Sequence, residues 1–181
     1  GVIEGASLGE VIESRNPKFS RGDVVAAALG WTEFGVSNGR GLMKLAPSDL
    51  PWSTAIGVLG IPGLTAYFGL FRVGQMKEGE TVVVSSAAGP VGATAVQIAK
   101  LSGCRVIGIA GSSAKCAWIR DELGADSVID YKAARDLGGA IASACPEGVD
   151  IYFDNVGNEF IDAVIPSLKM RGRIVVSGQV A

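Results

Sequence analysis

The chain has 181 residues, 48% of them hydrophobic and 19% charged, with a formal net charge of −2. That balance supplies a buried core and argues against disorder, and with no cluster of Lys or Arg it offers no footprint for nucleic acid or an anionic membrane. The lack of any histidine excludes Ser-His and Cys-His nucleophile pairs and removes the commonest zinc ligand. Cys104, Cys116 and Cys145 are widely spaced, which fits reduced packing thiols rather than a disulfide framework or a metal cluster, so no metal is expected. No apolar run reaches about 18 residues and the N-terminus lacks a signal-peptide layout, so a soluble, cytoplasmic protein is expected.

In chain order, the first 50 residues alternate short β-rich runs with glycine turns: Gly9–Ser14, Val24–Ala28, Thr32–Val36 and Leu42–Leu45. They predict a β-meander or part of a barrel, too small to bury both faces of a sheet, with further strands of the same unit expected upstream of Gly1. Pro47 and Pro51 bracket a change of composition toward Ala, Leu and Gly, which places a domain boundary near residue 51 and divides the chain into 1–51 and 52–181. Trp52–Leu59 and Gly63–Val73 read as two short apolar helices broken at Gly60-Ile61-Pro62-Gly63.

From Glu80 the alternation is regular. Strands are expected at Thr81–Ser85, Arg105–Ala110, Ser127–Asp130, Val149–Asp154 and Arg173–Ser177. Helices are expected at Val91–Ser102, Ala114–Leu123, Ala133–Ser143 and Glu159–Met170. Nearly continuous Val/Ile runs predict strands covered on both faces, as in a doubly wound parallel α/β sheet of the Rossmann type; five of its six strands are counted.

In such a sheet ligands bind beyond the carboxyl ends of the strands. After the first strand, Ala87-x-Gly89-x-x-Gly92 follows the dinucleotide fingerprint with alanine for the first glycine. Gly89, Pro90, Val91 and Gly92 would bring a helix N-terminus against a pyrophosphate, although a ligand-free strand–helix corner would use the same residues. After the second strand comes Gly111-Ser112-Ser113-Ala114-Lys115, with no acid for a ribose 2′-hydroxyl. Ser112 and Lys115 suit a 2′-phosphate, or else a serine cap and a solvated lysine. Tyr131 and Lys132 follow the third strand, Asn155 the fourth, and Ser177-Gly178-Gln179 the fifth. Each tip alone is compatible with an ordinary turn.

Phe19–Val25, Gly30-Trp31-Thr32-Glu33-Phe34, Gly60–Tyr67, Ala87–Gly92, Gly111–Lys115 with Tyr131, and Tyr152–Gly157 together resemble the zinc-independent medium-chain dehydrogenase/reductases. Their nearest branch is the prostaglandin reductase, leukotriene B4 dehydrogenase and plant double-bond reductase group. The resemblance runs through the whole chain, in order. It implies a partial GroES-like substrate domain ahead of the Rossmann domain, NADP(H) as cofactor, and NADPH-dependent reduction of the C=C bond of α,β-unsaturated aldehydes or ketones by hydride transfer to the β-carbon. It further implies a small-molecule enone or enal substrate and a homodimeric full-length form. By position, Gly89–Gly92 would hold the pyrophosphate, Lys115 and Tyr131 the adenosine 2′-phosphate end, and Asn155, Ser177 and Gly178 further parts of the cofactor. Asn158 departs from the family's usual glycine, and the last Rossmann strand is expected beyond Ala181. No residue is assigned to catalysis. NADP(H) binding without turnover and quinone reduction are the competing functions.

Overall fold

The structure, a computed structural model, describes residue 3 and residues 5–178. The chain separates into two compact units, Gly1–Ile61 and Pro62–Ala181.

The first unit holds a three-stranded antiparallel sheet of β1 (Ser7–Glu10), β2 (Val24–Ala27) and β3 (Met43–Lys44), with β2 in the middle. Val25 and Ala26 of the central strand are its buried hydrophobic residues. An ion pair of 2.7 Å joins Lys44 to Asp23 at the entry to β2. The run Thr32–Val36, expected as a strand, forms none: no described strand pairs with it, and Phe34 and Val36 are exposed. β-branched and aromatic residues favour a pleated surface only where a neighbouring strand covers them. Trp52–Leu59 is likewise shorter in helix than expected, a 3₁₀ turn at Trp52–Ala55 followed by irregular turns.

In the second unit, β4 (Thr81–Val84), β5 (Arg105–Ala110), β6 (Ser127–Asp130), β7 (Val149–Asp154) and β8 (Leu168–Val176) form one parallel sheet in the order β6-β5-β4-β7-β8. The chain starts in the middle, runs to one edge, returns and runs to the other, so the order reverses between β4 and β7. This is the Rossmann arrangement expected from the sequence.

Alternation along the strands sorts the core into two layers. Val82 and Val84 of β4, Val106 of β5 and Ile151 and Phe153 of β7 meet α1 (Ile61–Phe68), α2 (Pro90–Leu101) and α3 (Ser113–Asp121) through Ala66, Ala95, Val96, Ala99 and Ile119. Val83, Ile107, Ile109 and Tyr152 face the other way, toward Ile141 of α4 (Leu137–Ala144) and Phe160 and Val164 of α5 (Glu159–Val164). Every residue in these two lists belongs to secondary structure whose run in the sequence was correctly typed. Gly108 in β5 is the concession to close packing, since a Cβ there would sit 2.7 Å from the Ile119 side chain and 3.2 Å from Ala87 Cβ.

Three boundaries move. The helix expected from Gly63 begins at Ile61, because Pro62 fits a first helical turn rather than breaking one, and it passes into a π-helical turn, Gly69–Val73. The third expected helix starts at Leu137, not Ala133. The fourth stops at Val164 before Pro166, and β8 begins at Leu168 with a register shift opposite Val149/Ile151.

Candidate functional site

The turn between β4 and α2 is built by close approach. Ser86 takes a positive φ of 47°, and its carbonyl accepts the Gly89 N–H at 2.9 Å. A Cβ on Gly92 would fall 2.3 Å from that same carbonyl and 2.9 Å from Ala87 Cα. Glycine at 92 is therefore a packing requirement. Ala87 fills the first fingerprint position without strain: the left-handed residue is Ser86 instead, and the Ala87 N–H is held by Ile109 O at 3.0 Å. Gly89 caps α2 with extended dihedrals and no side-chain bond, and Pro90 opens the helix. The first-turn N–H groups thus keep their capacity for an external acceptor, at the positive end of a 12-residue helix.

Two clefts flank this turn and share Ser86 and Gly89. The larger, about 450 Å³, lies toward β5 and β6 and is lined by Gly111, Lys115, Tyr131, Lys132, Glu159 and Phe160 among others. The smaller, about 230 Å³, lies toward β7 and β8 and is lined by Pro90, Val91, Gly92, Asn155, Ser177 and Gly178. Nine of the ten cofactor-binding candidates, all but Ser112, therefore line one cleft or the other. Gln179 lies outside the described residues.

In the larger cleft, Tyr131 lies across the tip of β5. A Cβ on Gly111 would come within 2.7 Å of the Tyr131 ring, and the edge of Phe160 supports that ring at a centroid distance of 5.0 Å. Lys115 and Lys132 put two cations in the lining, against one carboxylate, Glu159 from α5. No acid stands at the tip of β5 itself, where Gly111, Ser112 and Ser113 follow Ala110. Ser112 plays the structural part of its two sequence readings: it is the N-cap of α3 and accepts the Lys115 N–H at 3.3 Å.

The smaller cleft has a wall of crossed hydrogen bonds. Asn155 Nδ2 donates to Ser85 O at 2.7 Å, Asn155 Oδ1 accepts from Ser177 Oγ at 2.9 Å, and the Asn155 N–H reaches Ser85 Oγ at 2.8 Å. Asn155 thus ties together the tips of β4, β7 and β8, with one amide hydrogen and one lone pair left for anything in the cleft. Beneath it is a residue that the sequence reading passed over as part of a turn. Asp154 is wholly buried, and its Oδ1 accepts from Tyr152 Oη at 2.8 Å, Ser85 Oγ at 3.2 Å, and the N–H groups of Val156 and Gly157 at 3.1 and 3.0 Å. Burial, reinforced by this carboxylate, pushes the Tyr152 hydroxyl well above its ordinary range, so it stays protonated as the donor. Ser86, Glu159, Phe160 and Asp154 went unassigned from sequence; the small polar residue just before the glycine turn was the signal available for Ser86.

Burial raises the thiols of Cys104, Cys116 and Cys145, and all three are free packing residues. Among the described residues there is no group of three or more His, Cys, Asp or Glu side chains placed to hold a metal ion, and no helix long and apolar enough to cross a membrane.

A family model described as zinc-binding dehydrogenase matches residues 90–181, and one described as the N-terminal domain of oxidoreductase matches residues 1–45. The chain is 49% identical over 180 residues to prostaglandin reductase 1 of Mus musculus, covering 98% of this chain and 54% of that one. It is 48% identical over 183 residues to the NADPH-dependent curcumin reductase of Escherichia coli strain K12, covering 100% of this chain and 52% of the other. The chain thus spans about half the length of the curated relatives it matches. The crystal structure of CurA from Vibrio vulnificus in complex with NADPH superposes with a TM-score of 0.86 at 44% identity, over 94% of this chain and 50% of that one.

Proposed function

The chain belongs to the zinc-binding dehydrogenase family, and from that premise we propose that its parent protein reduces the C=C bond of α,β-unsaturated aldehydes and ketones with NADPH, passing hydride to the β-carbon. The observation that carries this reading is the pair of clefts meeting over Ser86 and Gly89, with two lysines in the larger one and no acid at the tip of β5. A dinucleotide lying across the switch point of a doubly wound sheet needs this two-sided site, one half for each nucleotide.

The residues present fit such a group. Gly89 to Gly92 bring main-chain N–H groups to a pyrophosphate, and any side chain at Gly89 would meet Ser86 O and Oγ at 3.2 Å. Lys115 and Tyr131 would take the adenosine 2′-phosphate end, where a cation and a phenol serve a phosphate that an acid would repel. Asn155, Ser177 and Gly178 would border the nicotinamide half. Ser112 stays with α3 as its cap. When bound, NADPH supplies the hydride. Substrate chemistry is read from the relatives: curcumin carries C=C bonds conjugated to ketones, the bond type named here. The protein is read as zinc-independent, cytoplasmic and homodimeric in its full-length form.

The test is loss of 340 nm absorbance when an alkenal is added to the full-length protein with NADPH; no loss despite tight NADPH binding would make it a binding module, and faster turnover with a quinone would reassign the substrate. Cofactor choice has its own check. Lys115→Ala removes a charge-assisted contact worth about 1.5–3 kcal/mol, so NADPH affinity should fall roughly 10- to 150-fold with NADH affinity unchanged. Equal effects on both cofactors would refute the assignment.

A further inference from the structure

We propose that Asp154 is the positioning residue of the smaller cleft: a buried carboxylate that fixes the nicotinamide-side wall without touching the ligand. This inference rests on the functional reading above. Six described contacts converge on one residue from both sides. Its Oδ1 gathers Tyr152 Oη, Ser85 Oγ and the N–H groups of Val156 and Gly157, while its main-chain carbonyl accepts the N–H groups of Ser177 at 2.8 Å and Gly178 at 3.2 Å. Ser85 Oγ passes the restraint on, because it also accepts the Asn155 N–H. Asn155 and Ser177, the polar residues that β7 and β8 bring to this cleft, are thereby one or two hydrogen bonds from Asp154.

The carboxylate has no cation to justify its burial. Its other oxygen, Oδ2, is buried with no hydrogen-bond partner, and none of the described ion pairs includes Asp154. A buried polar atom left unpaired is costly, and a core chosen for stability alone would replace it. What a carboxyl group adds is an oxygen that can hold several donors at once. The turn Asn155–Gly157 needs such an acceptor because two of its consecutive N–H groups point inward at once.

The partition of the site makes the idea separable from a general loss of stability. Asp154 braces β4, β7 and β8; Lys115 and Tyr131 stand on the opposite side of Gly89. Adenosine 2′,5′-bisphosphate fills only the adenosine side, whereas NADPH fills both. In full-length protein Asp154→Asn, which keeps the shape and one oxygen but turns the other into an amide nitrogen, should weaken NADPH at least 10-fold and leave adenosine 2′,5′-bisphosphate within twofold. Ser85→Ala, which keeps the carboxylate and cuts the link to Asn155, should do the same to a smaller degree and covers the case in which the Asn variant fails to fold. NADPH affinity unchanged in a folded variant overturns the proposal, and so does a parallel loss of both ligands. Failure of the wild-type protein to bind either ligand would instead overturn the functional reading.

Discussion

β7 carries two aspartates four residues apart, one at each end of the sheet, and their surroundings differ in kind. At the amino end, Asp150 Oδ2 accepts from Lys169 Nζ at 2.7 Å and from the Thr81 N–H at 2.8 Å. Beside it, Arg173 binds Glu80 at 2.7 Å together with the carbonyls of Gly74, Asp150 and Gln75. Both of these carboxylates, Asp150 and Glu80, have a cationic partner. At the carboxyl end, Asp154 is more deeply buried, has only neutral donors, and leaves one oxygen unpartnered. The same strand thus spends one carboxylate on closing the sheet and the other on shaping a turn. The contrast follows the rule that open α/β sheets bind ligands beyond their carboxyl ends: the amino end is free to be optimised for stability, and the other end carries geometry that stability does not require.

The largest effect that would break this comparison is expected at Gly92. A Cβ there sits 2.3 Å from Ser86 O, a main-chain atom with no flexible end to yield. Gly92→Ala should cost about 3 kcal/mol in chemical denaturation, at the upper end of overpacking penalties, and abolish measurable NADPH binding in calorimetry. A stable variant with native NADPH affinity would mean that the turn is not held as tightly as these contacts require.

A middle-sized effect is expected at Tyr152, which gives Asp154 its shortest side-chain hydrogen bond while its ring packs in the core. Tyr152→Phe keeps the ring and removes one of the donors at Oδ1. The loss of one buried hydrogen bond sets the stability cost at about 1.5 kcal/mol. NADPH affinity should drop a few-fold with adenosine 2′,5′-bisphosphate unaffected. If instead both ligands were unaffected, Asp154 would hold its turn through the main-chain donors alone.

How far the sequence anticipates all this depends on how local each signal is. The five strands of the second unit were legible because Val/Ile runs such as Thr81–Val84 and Arg105–Ala110 are covered on both faces, so composition alone marks them. Gly89, Gly92, Lys115 and Tyr131 were legible because strand tips are where such a sheet places its ligands. Thr32–Val36 misled, since a β-prone run says nothing of whether a partner strand exists. Asn155 lines a cleft but its role is incompletely read, and Ser112 lines neither cleft: the serine hydroxyl goes to the α3 cap, and the asparagine amide is mostly engaged in bracing other tips. Asp154 escaped because its meaning lies in Ser85, 69 residues away, and no local pattern records that distance.

The smallest effect belongs to the amino end, and its value lies in its pH dependence. Burial alone would raise the Asp150 carboxyl, but the Lys169 ammonium and the Thr81 N–H outweigh it and hold the group below its usual 3.8. A carboxyl that ionises more readily in the fold than in the unfolded chain adds stability above the unfolded value and loses it as pH falls through the folded one. Asp150→Asn should therefore cost about 1 kcal/mol at pH 7, between exposed and buried ion pairs, and nothing once the wild-type carboxyl is protonated. Denaturation curves of the two proteins should converge as pH is lowered from about 5 toward 2. Affinity for NADPH and for adenosine 2′,5′-bisphosphate should stay level at neutral pH, because neither cleft contains Asp150 or Lys169. A cofactor effect at this end would show that the two ends of the sheet are coupled, and the division of labour along β7 would have to be abandoned.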